Sequence, residues 1–271
     1  MRIGFVGAGR MGRPMVARLV AAGHAVRVLG RSEGARAELA DLGATPVDDL
    51  PAVAEAAEAV VVCVFTDDQV REVCLDGPLL SALPAGSVLI VHTTGSPDTA
   101  TALAAATPEG VHVVDAPVSG GPHDIAAARL TVMIGGDERA VGLAQPVLSA
   151  YGDPLVHVGA LGSGQRVKLV NNALFTAQIG LIAEAVRLGT ALGVTEEALL
   201  SALPHASSGG RALASIAAKG SVAEFHSSVG EFVRKDVTVA RALAADLGVD
   251  LGLLDTAIEA GAATDSAPLS R

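Results

Sequence analysis

Met1-Arg2-Ile3-Gly4-Phe5-Val6-Gly7-Ala8-Gly9-Arg10-Met11-Gly12 opens the chain with an apolar run that breaks into glycines and then into a helical pattern over Met11–Ala22. The spacing Gly7, Gly9, Gly12 sits between a strand and a helix, where each glycine has its own task. Gly7 permits a tight turn, Gly9 lets the backbone approach a pyrophosphate, and Gly12 lets the helix pack closely on the strand. The helix then aims its free N–H groups at phosphate oxygens. A GxGxxG alone is weak evidence. In the first strand-to-helix turn of a βαβ unit it predicts a dinucleotide site built from Gly7, Ala8, Gly9, Arg10, Met11 and Gly12.

Outward from this turn, apolar runs at 3–6, 25–29, 59–65, 88–91, 111–114, 130–134 and 155–158 alternate with helical stretches such as 34–42 and 97–106. Most runs are continuous, as expected of strands covered on both faces. The order predicts an α/β fold with a doubly wound parallel sheet, a Rossmann domain over 1–162. After Gly162 no convincing strand follows. Residues 163–192 carry one long helical pattern, and about 29 residues of helix span about 43 Å. Val167, Val170, Leu174, Ala177, Leu181, Ala185, Leu188 and Leu192 recur at steps of three and four, which predicts a buried stripe. The helix is expected to leave the Rossmann unit as the spine of an all-α domain over 163–271, with shorter helices at 196–203, 211–218 and 229–247 and a frayed end from 262.

Half of the 271 residues are hydrophobic, yet only 2% are aromatic and Trp is absent, so the core must be built of Val, Leu, Ile and Ala. A net charge of -10 argues against nucleic acid or an acidic membrane surface as partner. The N-terminus lacks the layout of a secretory signal, and no stretch reaches about 18 uninterrupted apolar residues. Two cysteines, Cys63 and Cys74, make no disulfide framework, and seven scattered histidines show no metal pattern. The expectation is a cytoplasmic protein with no metal.

Which dinucleotide binds is decided at the end of the second strand. Enzymes for NAD usually place a carboxylate there for the ribose hydroxyls. Here the residues are Val28-Leu29-Gly30-Arg31-Ser32. Arg31 can pair with a 2′-phosphate and Ser32 can donate to it, so NADP(H) is expected, with NAD a poorer alternative.

Three further stretches carry chemistry. Asp115-Ala116-Pro117-Val118-Ser119-Gly120-Gly121 starts at the end of a strand, where open sheets hold ligands. Gly162-Ser163-Gly164-Gln165-Arg166-Val167-Lys168-Leu169-Val170-Asn171-Asn172 puts Lys168, Asn171 and Asn172 on one helix face. Lys235-Asp236 lies near the C-terminus. In order and separation, over almost the whole chain, these motifs resemble the β-hydroxyacid dehydrogenases of the 6-phosphogluconate dehydrogenase superfamily, which include 3-hydroxyisobutyrate dehydrogenase and semialdehyde reductases.

Beside the resemblance, the chemistry is consistent. Hydride delivery to a carbonyl leaves an alkoxide that needs a proton, which Lys168 can supply as general acid, taking it back in oxidation. Ser119 and the amides of Gly120 and Gly121 can grip a substrate carboxylate, although the same stretch also reads as a plain turn. The resemblance implies that Asn172 orients the substrate beside Asn171, that Thr94 contacts the cofactor, and that Lys235 reaches over it. It also implies a homodimer or homotetramer acting on a small molecule. Phe65 and Thr66 stand where the family usually has Leu-Pro beside the cofactor. Pro122-His123-Asp124 departs from the family's glycine-containing pattern. Imine reduction and a catalytically silent NADP-binding scaffold are the alternatives; Lys168 favours carbonyl chemistry over the first.

Overall fold

The apolar runs of the first 160 residues become one nine-stranded sheet. A computed structural model describes residues 1–262, without the side chains of 231–233 and 262, and divides into two compact units, Met1–Lys168 and a second from Leu169 on. Residues 263–271, which make up most of the run expected to fray, lie outside the described residues.

In the first unit the strands are β1 (Arg2–Val6), β2 (Ala25–Leu29), β3 (Thr45–Val47), β4 (Ala59–Val62), β5 (Val88–Val91), β6 (His112–Asp115), β7 (Val118–Ser119), β8 (Leu130–Gly135) and β9 (Gly152–Gly159). Their order is β3-β2-β1-β4-β5-β6-β8-β7, with β9 on β8. From β3 to β6 every pairing is parallel, the order of a dinucleotide-binding sheet. β8 runs antiparallel to β6 and β7.

The continuous apolar runs have a direct cause. Val61 and Ile90 enter one core cluster with Phe5, Met15 and Leu130. Their neighbours Val60, Val62, Leu89 and Val91 enter another with Val70, Leu79 and Leu103. Both faces of the sheet are covered, so alternation disappears. The strand expected over 59–65 stops at Val62, because Thr66 and Gln69 close a capping box that starts the helix Asp67–Arg71.

In the second unit the helix Ser163–Ala191 is followed by Glu196–Ala202, Arg211–Lys219, Val222–Asp246 and Leu253–Ala262. Val222–Asp246 starts seven residues before the expected position, at Ser221, whose hydroxyl caps Glu224 N. The expected buried stripe requires a correction. Val167, Val170, Leu174, Leu181, Leu188 and Leu192 are exposed, Leu192 by 73%, while Ala177 is buried. The buried face instead carries Leu169, Ala173, Ala177, Ile179 and Ala183. Ile179 and Ala183 pack with Leu200, Leu213, Ile216 and Phe225. The cause is size. A Cβ on Gly180 would lie 1.8 Å from the Ala257 carbonyl oxygen, and one on Gly189 2.3 Å from Leu199. Small residues let the neighbouring helices in, so the large leucines mark the outside. By length and composition alone this helix is also apolar enough to cross a membrane; its small-residue face packs like that of a core helix.

Candidate functional site

The glycine turn has the geometry its sequence requires. Gly7 adopts φ +98°, and a Cβ there would lie 2.3 Å from Cys63 O. A Cβ on Gly12 would lie 2.1 Å from Gly7 O, whereas one on Gly9 meets nothing within 4 Å. Two glycines are thus consumed by packing, and the third leaves its side of the loop open to a ligand. The helix Gly12–Ala21 begins at Met11 with no side-chain cap. Ser32, Asp49 and Asp137 each cap their own helices. First-turn N–H groups without a cap favour an anion.

A cavity of about 340 Å³ opens over this turn, lined by Gly7, Ala8, Gly9, Arg31 and Phe65 among the expected residues. Arg10 is exposed, Met11 and Gly12 shape the turn, and Thr66 serves the capping box. The Ser32 hydroxyl accepts from Ala35 N at 3.2 Å, which leaves its own proton to donate. Sequence reasoning missed Arg13, Glu38 and Gln69, which also line the cavity. Arg13 pairs with Glu38, which offsets the repulsion that this acidic lining residue would exert on a phosphate. Glycine amides, an uncapped helix start and Arg31 together fit the phosphates of a dinucleotide.

The C-terminal edge of the sheet is organised around Asp115, which is fully buried at the end of β6. Its Oδ1 accepts from Gly162 N at 2.6 Å and its Oδ2 from Gln165 N at 2.7 Å. Burial pushes this carboxyl above its ordinary range, while the two backbone amides pull it back down. Glycine makes the approach possible, since a Cβ on Gly135 would lie 2.3 Å from Asp115 Oδ1 and one on Gly164 2.8 Å from Oδ2. One carboxylate therefore joins the Asp115–Gly121 stretch to the start of the helix that carries Lys168. Lys168 itself is half-buried.

Two expected donors are engaged locally. Gly121 N donates to Asp124 Oδ2 at 2.8 Å, so its amide is not unobstructed; Gly120, at φ +136°, and the half-buried Ser119 remain. Asp124 closes this turn, with His123 beside it at 3.3 Å. Asn171 Nδ2 donates to Asn172 Oδ1 at 2.9 Å, and Asn172 Nδ2 donates to Asp236 Oδ2. Lys235 Nζ stands 2.8 Å from Asp236 Oδ1, off hydrogen-bonding angle. Asp236 fixes the orientation of the Asn172 amide, with Nδ2 donating to it and Oδ1 left as the accepting end.

A support that the sequence did not reveal lies beneath. His92 Nδ1 donates to Ala116 O at 2.6 Å, and Nε2 accepts from Tyr151 Oη at 2.8 Å. Burial holds this imidazole neutral, with its pKa pushed down to about 4. Burial also pushes the Cys63 thiol up to about 12, so it stays protonated. Among the described residues no group of three or more His, Cys, Asp or Glu is placed to hold a metal ion.

This sheet order, with an anion-ready turn at the carboxyl edge of its first strand, defines a dinucleotide-binding α/β protein. Residues 2–159 match the model of the NAD binding domain of 6-phosphogluconate dehydrogenase, and residues 162–269 that of the NAD-binding domain of NADP-dependent 3-hydroxyisobutyrate dehydrogenase. The chain is 35% identical to 2-(hydroxymethyl)glutarate dehydrogenase of Eubacterium barkeri over 202 residues, 73% of this chain and 67% of that one. It is 34% identical to the NAD-dependent L-serine dehydrogenase of Pseudomonas aeruginosa, over 78% of this chain and 72% of that one. The solved 3-hydroxyisobutyrate dehydrogenase of Mycobacterium tuberculosis with L-serine superposes with a TM-score of 0.83 at 31% identity, covering 97% of this chain and 94% of that one. The chain belongs to the β-hydroxyacid dehydrogenase family. It takes a nicotinamide dinucleotide, and its activity is that of an NAD(P)-dependent hydroxyacid dehydrogenase acting on CH–OH.

Proposed function

We propose that this protein is an NADP(H)-dependent, cytoplasmic oxidoreductase that interconverts a small β-hydroxyacid with its aldehyde or ketone, with Lys168 as general acid/base. The observation that carries this reading is the Asp115 carboxylate, which holds the start of the lysine-bearing helix at 2.6 and 2.7 Å. It tethers the lysine's helix to the strand end from which the chain runs on to Ser119 and Gly120. A nicotinamide dinucleotide, when bound along the glycine turn, supplies or accepts the hydride. The protein's part is to hold the substrate carboxylate with Ser119 Oγ and Gly120 N and to move the proton at Lys168 Nζ. Asn172 would orient the substrate hydroxyl, and Lys235 would close over the cofactor; both assignments rest on the family resemblance.

Preference for NADP(H) is supported by Arg31 in the cavity and by the proton left on Ser32. The Arg13–Glu38 pair offsets the repulsion of the acidic residue lining the cavity. We also propose that residues 1–162 bind the cofactor and that 163–271 serve substrate selection and dimerisation. The exposed row Val170, Leu174, Leu181, Leu188 and Leu192 supports a homodimer, since an apolar strip of this length marks an interaction surface.

The test is a substrate panel. 3-Hydroxyisobutyrate, L-serine and 2-(hydroxymethyl)glutarate are oxidised with NADP⁺ or NAD⁺, and small semialdehydes are reduced with NADPH, beside a cyclic imine. Turnover of at least one hydroxyacid or semialdehyde is expected, faster with the phosphorylated cofactor. Turnover of the imine alone would end the carbonyl reading.

A further inference from the structure

A buried glutamine at the start of a helix whose buried face is otherwise mostly Ala, Gly, Leu and Ile needs a reason. Ordering and burying that side chain costs rotamer entropy, and any unpaired polar atom costs more. Gln165 is 3% exposed and satisfies both ends of its carboxamide. Its Oε1 accepts from Gly95 N at 3.0 Å, and its Nε2 donates to Thr93 O at 2.8 Å. These two backbone groups flank Thr94 in the loop that leaves β5 at the carboxyl edge of the sheet, where open α/β sheets hold their ligands. The side chain therefore clamps that loop as a neighbouring strand would, one donor and one acceptor at a time. The backbone N–H of the same residue is held by Asp115 Oδ2 at 2.7 Å, and Lys168 follows one helical turn later.

We infer that Gln165 is a positioning residue: its carboxamide, with Asp115 behind it, fixes the distance between the Thr93–Gly95 loop and the first turns of the helix, and so sets where the Lys168 amine stands. This rests on the acid/base role proposed for Lys168. Packing alone would be served as well by an unbranched apolar side chain of similar volume. The Gly95 N–H and the Thr93 carbonyl need an acceptor and a donor at the carboxamide end, and meeting both ties their loop to this helix.

The experiment compares wild type, Gln165→Met, Gln165→Glu, Lys168→Ala and Gln165→Met in the Lys168→Ala background. Each is assayed with NADP⁺ and whichever panel hydroxyacid gives the highest kcat/KM, after folding is checked by circular dichroism. Gln165→Met is expected to lower kcat ten- to a hundredfold, with the hydroxyacid KM and the NADPH Kd within about threefold. In the Lys168→Ala background the same change should alter the residual rate less than twofold, because no amine remains to be placed. Gln165→Glu supplies the rescue. Its protonated carboxyl can still donate to Thr93 O and accept from Gly95 N, whereas its ionised form sets a negative charge against that carbonyl. Asp115, hydrogen-bonded to this residue's backbone, and Asp67, whose carboxyl packs against Gly95, disfavour ionisation further, and Arg166 lies close enough to Asp115 to lower its pKa. The activity of Gln165→Glu relative to wild type should therefore fall as pH rises from 6 to 9.

Wild-type kcat in Gln165→Met, or an equal loss in both backgrounds, overturns the positioning role. If Gln165→Met does not fold, a Gln165→Glu ratio that is flat with pH overturns it instead. A Lys168→Ala variant with near-normal turnover, or a wild type that turns over no hydroxyacid, overturns the acid/base reading, and this inference with it.

Discussion

The two units meet their solvent differently. In the first, β4 and β5 are buried along their whole length, and both sheet faces are covered by helices of the same unit. In the second, the long helix buries mostly small residues while presenting Val170, Leu174, Leu181 and Leu188 outward. The first unit completes its core alone, and the second has apolar surface to spare. The proposed proton transfer uses the first kind of scaffold, and the proposed dimer contact the second.

Four measurements break or sharpen that contrast. The largest effect is expected at the last residue of the first unit, where Lys168→Ala should lower kcat by roughly 10²- to 10⁴-fold, the usual share of a general acid, with NADPH affinity little changed. Near-normal turnover would remove the chemistry from that unit. Next, Leu181→Glu with Leu188→Glu should convert an oligomer to a monomer, read by light scattering after size exclusion. A wild type that is already monomeric leaves the leucine row unexplained.

Arg31→Ala should weaken NADPH by roughly 1.5–3 kcal/mol, the worth of a hydrogen bond to a charged group, and NADH far less. Equal losses for both cofactors would refute a 2′-phosphate contact. The last measurement concerns His92, whose pKa is held down to about 4 against a free value of 6.5. As pH falls below 6.5 the unfolded chain takes up this proton first, so stability is full above that pH and declines toward 4. At pH 5 the loss is about 2 kcal/mol. His92→Gln should flatten that part of the stability curve in urea titrations at pH 8 and pH 5; an unchanged slope would show that His92 is not the group responsible.

The parts legible in the sequence are those whose cause is local. The glycine turn is legible because Gly7 and Gly12 are required by the backbone itself, and the parallel sheet because burial on both faces writes continuous Val and Ile runs. β3 and β7 are not, since three residues around Pro46 and two at Val118–Ser119 are too short to show a period. The buried face of the long helix is also hidden. Hydrophobicity ranks leucine above alanine, whereas close helix packing at Gly180 and Gly189 demands the reverse. Turn chemistry hides too, as when Asp124 takes the Gly121 amide. The Arg13–Glu38 pair and the His92–Tyr151 bond join residues 25 and 59 positions apart, which no local pattern reports.

Tyr151 is the only tyrosine in a chain without tryptophan, and it is fully buried in the core of the first unit. Its ultraviolet fluorescence is therefore a built-in reporter for that unit. Loss of the first unit's core changes the tyrosine's surroundings, while circular dichroism at 222 nm follows the helices of both units. Comparing the two signals reads the order of unfolding without a label.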